Sequence, residues 1–173
     1  MIRWLTLIPI LFSILLMACS SQTTAKTPTD NASSPPAVVT SAGQTLPISA
    51  KATVPNGTVV ELEVARTQEQ QQMGLMYRPA LPDNRGMLFP FSSPQPVTFW
   101  MKNVPVALDM VFLQNGVVQY IQAAAPPCAN EPCPTYGPNV PIDTVIELRA
   151  GRAAELNLRT GDSIKIEFLN TSN

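Results

Sequence analysis

The sequence predicts an all-β domain, a small antiparallel sandwich, jelly roll or barrel that carries one or two short helices. Two observations support this prediction. Seven or more short stretches rich in β-branched and apolar residues follow one another at close intervals, and turn signals containing Gly, Asn or Pro separate them. Helical signals are confined to two short segments, so the strands dominate the predicted fold.

The first two predicted strands form a hairpin. Residues 48–54 and 58–64 flank Pro55-Asn56-Gly57. Asn-Gly between β-prone stretches is the strongest short hairpin signal, because both residues tolerate a positive φ. Within residues 58–64 acidic and apolar residues alternate, which is the period of a half-buried strand.

A short helix is predicted to follow this hairpin. Thr67 and Gln70 have the spacing of a capping box, in which each side chain bonds the backbone N–H of the other residue. The helix is expected to end at about residues 73–75, because Gly74 suits a helix end and Pro79 prevents continuation.

Further strands are predicted along the rest of the chain, at residues 86–91, 97–102, 108–113, 117–121, 143–149 and 163–169. Asn115-Gly116 predicts a second hairpin between two of them. Residues 150–155 predict about one helical turn, and Thr160-Gly161-Asp162 predicts the turn before the last strand.

Residues 1–18 are predicted to be a lipoprotein signal peptide. After Arg3, an apolar stretch of 13 residues (4–16) is too short for a membrane-spanning helix, which needs about 20 residues. The next residues complete Leu16-Met17-Ala18-Cys19, which resembles a bacterial lipobox, although Met17 is bulky for that position. Lipid chains on Cys19 would anchor the protein to a membrane. Ordinary secretion and a retained anchor are the alternatives.

Residues 19–46 are predicted to be a lipidated cysteine followed by a disordered tether, and residues 47–173 a single β domain. The tether is rich in Ser, Thr, Ala and Pro, and such a segment buries too little apolar surface to fold. We therefore expect a monomeric lipoprotein in the bacterial cell envelope, outside the cytoplasm. The membrane is one expected partner, and the choice between inner and outer membrane stays open.

Composition excludes several classes of function. The chain has no histidine, so it cannot form a Ser-His-Asp or Cys-His nucleophile system or a histidine zinc site. Its net charge is −1, which argues against binding of nucleic acid, because such binding needs a basic surface. We expect no cofactor, and the composition favours a binding role over catalysis.

Cys128 and Cys133 are predicted to form a disulfide, because the expected compartment is oxidising. The loop that they close is short, so the predicted stabilisation is about 2 kcal/mol. Two alternatives are weaker. A zinc site needs more ligands than two thiolates, and a redox pair normally has two intervening residues, whereas this pair has four.

Three parts of the chain resemble a known family. They are Gln72–Arg78 with Gly86–Phe89, then Phe99–Leu113, and finally Cys133–Tyr136 with Val145–Leu148 and Gly161-Asp162. Their order and spacing resemble the bacterial and archaeal family named domain of unknown function 192. The resemblance implies a compact, mainly β fold of jelly-roll or barrel kind. It implies no activity, so no catalytic residue is carried over.

The polar residues of these segments are the candidate ligand contacts. If Phe99 and Met101 face the core, Trp100 and Lys102 are exposed together on the other face of the strand. An aromatic ring beside a cation suits a sugar or an anion. The predicted ligand-binding residues are Arg78, Trp100, Lys102, Asp109 and Tyr136. In the alternative interpretation Trp100 is a core residue, Lys102 lies along the edge, and Asp109 caps a turn or forms an ion pair.

The sequence therefore favours a binding or interaction module for an envelope ligand or a protein partner. One alternative is a hydrolase of envelope polysaccharide, in which Asp109 works with a second carboxylate such as Glu147 or Asp143. The other is a copper-binding protein, because five methionines lie between Met73 and Met110 and thioethers suit Cu(I). A methionine-rich β core explains the same residues without a metal.

Overall fold

A computed structural model describes residues 42–170, which fold around one seven-stranded sheet. The strands are β1 (Ile48–Thr53), β2 (Val59–Val64), β3 (Arg85–Gln95), β4 (Phe99–Trp100), β5 (Leu108–Gln114), β6 (Val117–Ala125), β7 (Thr135–Tyr136), β8 (Ile142–Arg149) and β9 (Lys165–Phe168). The helices are α1 (Gln68–Met73) and α2 (Arg152–Glu155). The predicted all-β class is confirmed.

The sheet has the strand order β6-β5-β8-β3-β2-β1-β9, and β4 pairs with β7 in a separate ribbon. One pair, β2 with β3, is parallel, so the sheet is mixed and not purely antiparallel. Parallel neighbours need a crossover connection, and α1 lies in the segment that makes it. A single bridge joins Val117 to Ser163, yet the sheet remains open and does not close into a barrel.

Both predicted hairpins are confirmed, with different turns. Asn115 and Gly116 both have positive φ, 52° and 74°, as a two-residue type I′ turn requires. In the first hairpin only Gly57 is positive, at 84°, and its N–H donates to the carbonyl of Val54. The loop of three residues there follows the type I turn with a glycine bulge.

The capping box predicted at Thr67 is present in α1. The Thr67 hydroxyl accepts from the Gln70 N–H at 3.2 Å, and Gln70 Oε1 accepts from the Thr67 N–H at 3.0 Å. Gly74 ends the helix with a φ of 46°. The box satisfies the N–H groups of Thr67 and Gln70 at the start of the six-residue helix.

Both faces of the sheet are buried, which explains why β5 is apolar at nearly every position. Val111 and Leu113 belong to the core on the face covered by α2, together with Ala153. Met110 and Phe112 belong to the opposite core, which also contains Met101 of the segment after β4. Alternate residues of one strand therefore enter two separate cores.

The disulfide between Cys128 and Cys133 is confirmed, with 5.5 Å between the two Cα atoms. The Cys128 N–H donates to the carbonyl of Met101 at 3.3 Å, so the bridged loop is attached to the segment that follows β4. Lys102 Nζ lies 2.6 Å from the Glu131 carboxylate of the same loop. The loop therefore helps to hold the end of β4 in place.

The predicted signal peptide and the lipid attachment at Cys19 lie outside residues 42–170, and so does most of the predicted tether. Just before β1, Gln44 Nε2 donates to the carbonyls of Gln70 and Gly74 at 2.7 and 3.0 Å. The Leu46 N–H donates to Glu63 Oε2 at 2.8 Å.

In the part of the chain that the structure describes, no helix is long and apolar enough to cross a membrane.

Candidate functional site

A groove of about 380 Å³ lies between α1 and the segment around β4. One group of its lining residues is amides: Gln68, Gln71, Gln72 and Gln95. The other is aromatic rings: Phe89, Phe91, Phe99 and Trp100. Among residues 42–170, none of those that line the groove carries a charge.

The aromatic side of the groove is built by the alternation along β4. Phe99 points inward, where its ring meets Phe89 edge-on at 5.1 Å and Phe112 edge-on at 5.8 Å between centroids. Trp100 points outward and is 48% exposed, whereas Met101 is fully buried. The predicted alternation is therefore observed, and it leaves a large exposed indole at the rim of the groove.

The amide side of the groove comes from α1. Gln68, Gln71 and Gln72 have the spacing i, i+3 and i+4, which places them on one face of a helix. Gln71 Nε2 donates to the carbonyls of Ala65 and Pro90, at 3.2 and 2.9 Å. These two bonds fix its side chain and leave Oε1 as an acceptor.

A second, smaller cavity of about 30 Å³ adjoins the groove, and Glu147 of β8 lies in its wall. Both spaces share Gln71, Phe99 and Trp100. Glu147 is 4% exposed and pairs with Met87 and Met110 on the two neighbouring strands. Within residues 42–170 its carboxyl makes no hydrogen bond and no ion pair.

The environment of Glu147 keeps its carboxyl group neutral at pH 7. Burial raises its pKa to about 8 from the usual 4.5, because a carboxylate loses its hydration there and no cation compensates. In the described part of the chain, every side-chain nitrogen or oxygen that has no accessible surface has a hydrogen-bond partner. The Glu147 oxygens have no such partner, so they must retain some accessible surface, and Glu147 lines the small cavity.

The other two buried carboxylates lie elsewhere and are fully engaged. The Glu63 carboxylate accepts hydrogen bonds from Nη1 and Nη2 of Arg78, at 2.7 and 2.9 Å, and from the Leu46 N–H. Asp109 accepts from the N–H groups of Ala124, Gly151 and Ala153 at 2.8, 3.1 and 2.8 Å.

The structure does not bring together the carboxylate pairs that hydrolysis would use. Asp109 pairs with Leu148 across β5 and β8, whereas Glu147 pairs with Met110. The side chains of Asp109 and Glu147 therefore point to opposite faces of the sheet. Asp143 accepts the Asn115 N–H at the second hairpin. Glu147 is the one carboxyl group that lines either the groove or its small cavity.

Of the five residues predicted to bind a ligand, Trp100 lines the groove. Lys102 does not line the groove. Its Nζ lies over the Trp100 ring, 5.5 Å from the indole centroid, and forms an ion pair with Glu131. Tyr136 pairs with Phe99 across β4 and β7 and packs against the core. Arg78 and Asp109 are not part of the groove, because each is bound to the partners described above.

Sequence reasoning missed the glutamine side of the groove and the isolated position of Glu147. A signal for each was present in the sequence. Three glutamines recur at helical spacing just after a capping box, and one acidic residue interrupts the apolar sequence Val145–Leu148. The meeting of these two segments depends on the strand order, which local patterns do not report.

Three of the five methionines considered for copper binding, Met87, Met101 and Met110, are fully buried in the core beneath the groove. The other two, Met73 and Met76, line the small cavity. Residues 42–170 contain no group of three or more His, Cys, Asp or Glu side chains placed to hold a metal ion.

Comparison with known proteins adds a family and two structures. The family model DUF192, described as "Uncharacterized ACR", matches residues 51–166. A crystal structure from Sinorhizobium meliloti 1021, described as a "putative transcription regulator", is 32% identical with a TM-score of 0.59, covering 67% of this chain and 90% of that one. The crystal structure of a protein of unknown function from Novosphingobium aromaticivorans DSM 12444 is 34% identical, with a TM-score of 0.59. The match covers 68% of this chain and 83% of that one. No curated protein matches the chain.

Proposed function

Because the chain belongs to the DUF192 family, whose description assigns no activity, we propose a function from the site itself. The protein is a lipid-anchored binding module outside the cytoplasm, and its groove binds a glycan of the cell envelope. The observation that carries this proposal is a groove of about 380 Å³ that combines amide side chains with an exposed tryptophan.

The chemistry of the groove matches that of a sugar chain. Sugar rings present hydroxyl groups at their edges. The free Oε1 of Gln71 can accept from a hydroxyl, and the amide of Gln72 can both donate and accept. The faces of sugar rings are apolar and stack on an aromatic ring such as Trp100. The volume lies in the range of about 300–1,000 Å³ that is usual for ligand pockets.

The absence of charge in the groove favours a glycan over other ligands. An anionic ligand would need cations in the lining, and the lining residues are uncharged. One structural relative is described as a "putative transcription regulator". A net charge of −1 argues against binding of nucleic acid by this chain, because such binding relies on an excess of basic residues.

The same site supports binding without hydrolysis. Two-carboxylate hydrolysis of a glycosidic bond needs an acid and a second carboxylate about 5–10 Å away. Glu147 is the sole carboxyl group in the lining of the groove and its cavity. We therefore propose a module that holds its ligand and leaves it intact.

Calorimetry with soluble β-1,4-linked oligosaccharides tests the proposal. We expect the full chain to bind such a tetrasaccharide, and Trp100→Ala to weaken binding between two- and about tenfold, because an aromatic contact is worth roughly 0.5–1.5 kcal/mol. Phe168→Ala is the matched control, since Phe168 is equally exposed, at 52%, but lies outside the groove. Equal affinity in wild type and Trp100→Ala, or no binding at all, would contradict the proposal.

A further inference from the structure

Glu147 is an acid for which the described part of the protein provides no partner. It is 4% exposed, and neither a cation nor a hydrogen-bond donor of residues 42–170 reaches its carboxyl group. Buried carboxylates normally have such a partner, as Glu63 and Asp109 do here. A carboxyl group left open towards a cavity can receive its partner from a ligand.

The size of the cavity limits what can enter it. To hold one water molecule, a cavity must leave about 10–15 Å³ open to the centre of a water-sized sphere. By the same measure this cavity has about 30 Å³, which is room for two waters, or for one amino group together with the carbon that bears it. The cavity and the groove share five lining residues, among them Gln71, Phe99 and Trp100.

The lining of the cavity favours a cation over a neutral group. Phe89, Phe99 and Trp100 are among the residues that line the cavity, and aromatic faces attract cations. No lysine or arginine lines the cavity, so a cation entering it meets an acid and no like charge. We propose that this cavity is a subsite for a protonated amino group, and that the glycan bound in the groove carries a free amine. This inference rests on the proposed function.

The proton balance of this step follows from the state of Glu147. When the incoming group is an ammonium, Glu147 must lose its proton to solvent, and the complex pairs the ammonium with a carboxylate. When the incoming group is a neutral amine, the proton moves from the carboxyl oxygen to the nitrogen. In both cases the complex contains an ionised Glu147, because the bound cation lowers the pKa that burial had raised.

Three tetrasaccharides that differ only at carbon 2 test the inference. Cellotetraose carries hydroxyls, the N-acetylglucosamine tetramer carries acetamides, and the glucosamine tetramer carries free amines. We expect the full chain at pH 7 to bind the amine form at least tenfold more tightly than the hydroxyl form. Glu147→Gln should abolish this preference, so that the amine and hydroxyl forms bind the variant with similar affinities.

Glu69→Gln is the matched control, because Glu69 is a fully exposed acid on α1 that lines neither space. Glu69→Gln should keep the preference for the amine form. A nonspecific attraction between the cationic tetrasaccharide and acidic side chains would instead weaken equally in Glu69→Gln and Glu147→Gln. Carbon-13 NMR of the wild type provides a readout that needs no variant: the Glu147 carboxyl should be protonated at pH 7 when free and ionised when the amine form is bound.

The outcomes separate this inference from the proposed function. If cellotetraose binds but the amine form binds no more tightly, or if Glu147→Gln keeps the preference, the amine subsite is wrong and glycan binding stands. If none of the three tetrasaccharides binds, the proposed function is wrong and the inference falls with it.

Discussion

Three carboxylates are buried in the described part of the chain, and each is accommodated differently. Glu63 pairs with a guanidinium group, Asp109 accepts three backbone N–H groups, and Glu147 faces a cavity. Burial removes the hydration of a carboxylate, so each must find a partner or stay protonated. The first two carboxylates hold the fold together, and the third is available to a ligand.

Replacement of Arg78 by methionine should destabilise the fold strongly. The variant leaves Glu63 buried without its counter-charge, which costs about 3–5 kcal/mol. The measurement is the free energy of unfolding in urea. Arg85→Met is the matched control, because its ion pair with Glu61 is about one-third exposed and is worth less than about 1 kcal/mol. Similar losses in both variants would contradict this prediction.

Glu147 should make the stability of the protein fall as the pH rises from about 5 to 8. Its pKa is about 8 in the folded protein and near 4.5 when exposed, so over this range the folded state binds the extra proton. The slope is at most about 1.4 kcal/mol per pH unit. Glu147→Gln should remove this part of the slope in unfolding experiments at pH 5, 6, 7 and 8. An unchanged slope would show that Glu147 titrates normally.

At the scale of elements, the groove depends on two short pieces that cannot be stable alone. The helix α1 has six residues, and β4 pairs with the two residues of β7. The capping box, the contacts of Gln44 and the disulfide-closed loop hold them against the sheet. The groove therefore lies where local bonds and the disulfide support elements with little packing of their own.

The helix α2 depends in the same way on Asp109, which binds the N–H groups of Gly151 and Ala153. Asp109→Ala leaves three N–H groups without their acceptor, and we expect it to cost at least about 3 kcal/mol, since each buried donor left unsatisfied costs roughly 1–3 kcal/mol. Circular dichroism during thermal unfolding measures this loss. Oligosaccharide affinity per folded molecule should be unchanged. A stable variant that has lost binding would place Asp109 in the ligand site instead.

At the scale of the whole molecule, a mixed sheet with two covered faces separates structural and functional roles. The core beside α2 contains apolar side chains, and the carboxylate of its buried acid, Asp109, accepts hydrogen bonds from backbone N–H groups. The opposite core lies beneath the groove and contains the aromatic rings and Glu147. Both faces therefore contribute a core to the domain, and the face opposite α2 also presents the candidate site.

We predict that a lipid on Cys19 attaches the whole protein to a membrane. We expect the full chain to fractionate with membranes, and Cys19→Ala to be released, because the variant lacks the atom that carries the lipid. Cys128→Ser is the control, since it removes a cysteine without removing the lipid. Retention of Cys19→Ala in the membrane pellet would contradict the predicted lipid anchor.

Several features were readable from the sequence because they depend on neighbours along the chain. The Asn115-Gly116 turn needs two residues that tolerate positive φ, and the capping box needs Thr67 and Gln70 three residues apart. The disulfide joins cysteines separated by five positions. The exposure of Trp100 follows from the two-residue period of a strand.

The rest was decided by tertiary structure, because it depends on residues that are distant in sequence. The parallel pairing of β2 with β3 places α1 opposite β4, and only then do three glutamines and Trp100 line one groove. The pairing of β5 with β8 puts Asp109 and Glu147 on opposite faces, which separates two acids that the sequence allowed to cooperate. The sequence by itself determined the local turns, the caps and the class of fold. Strand order determined which side chains meet, since long-range pairing has no local signal.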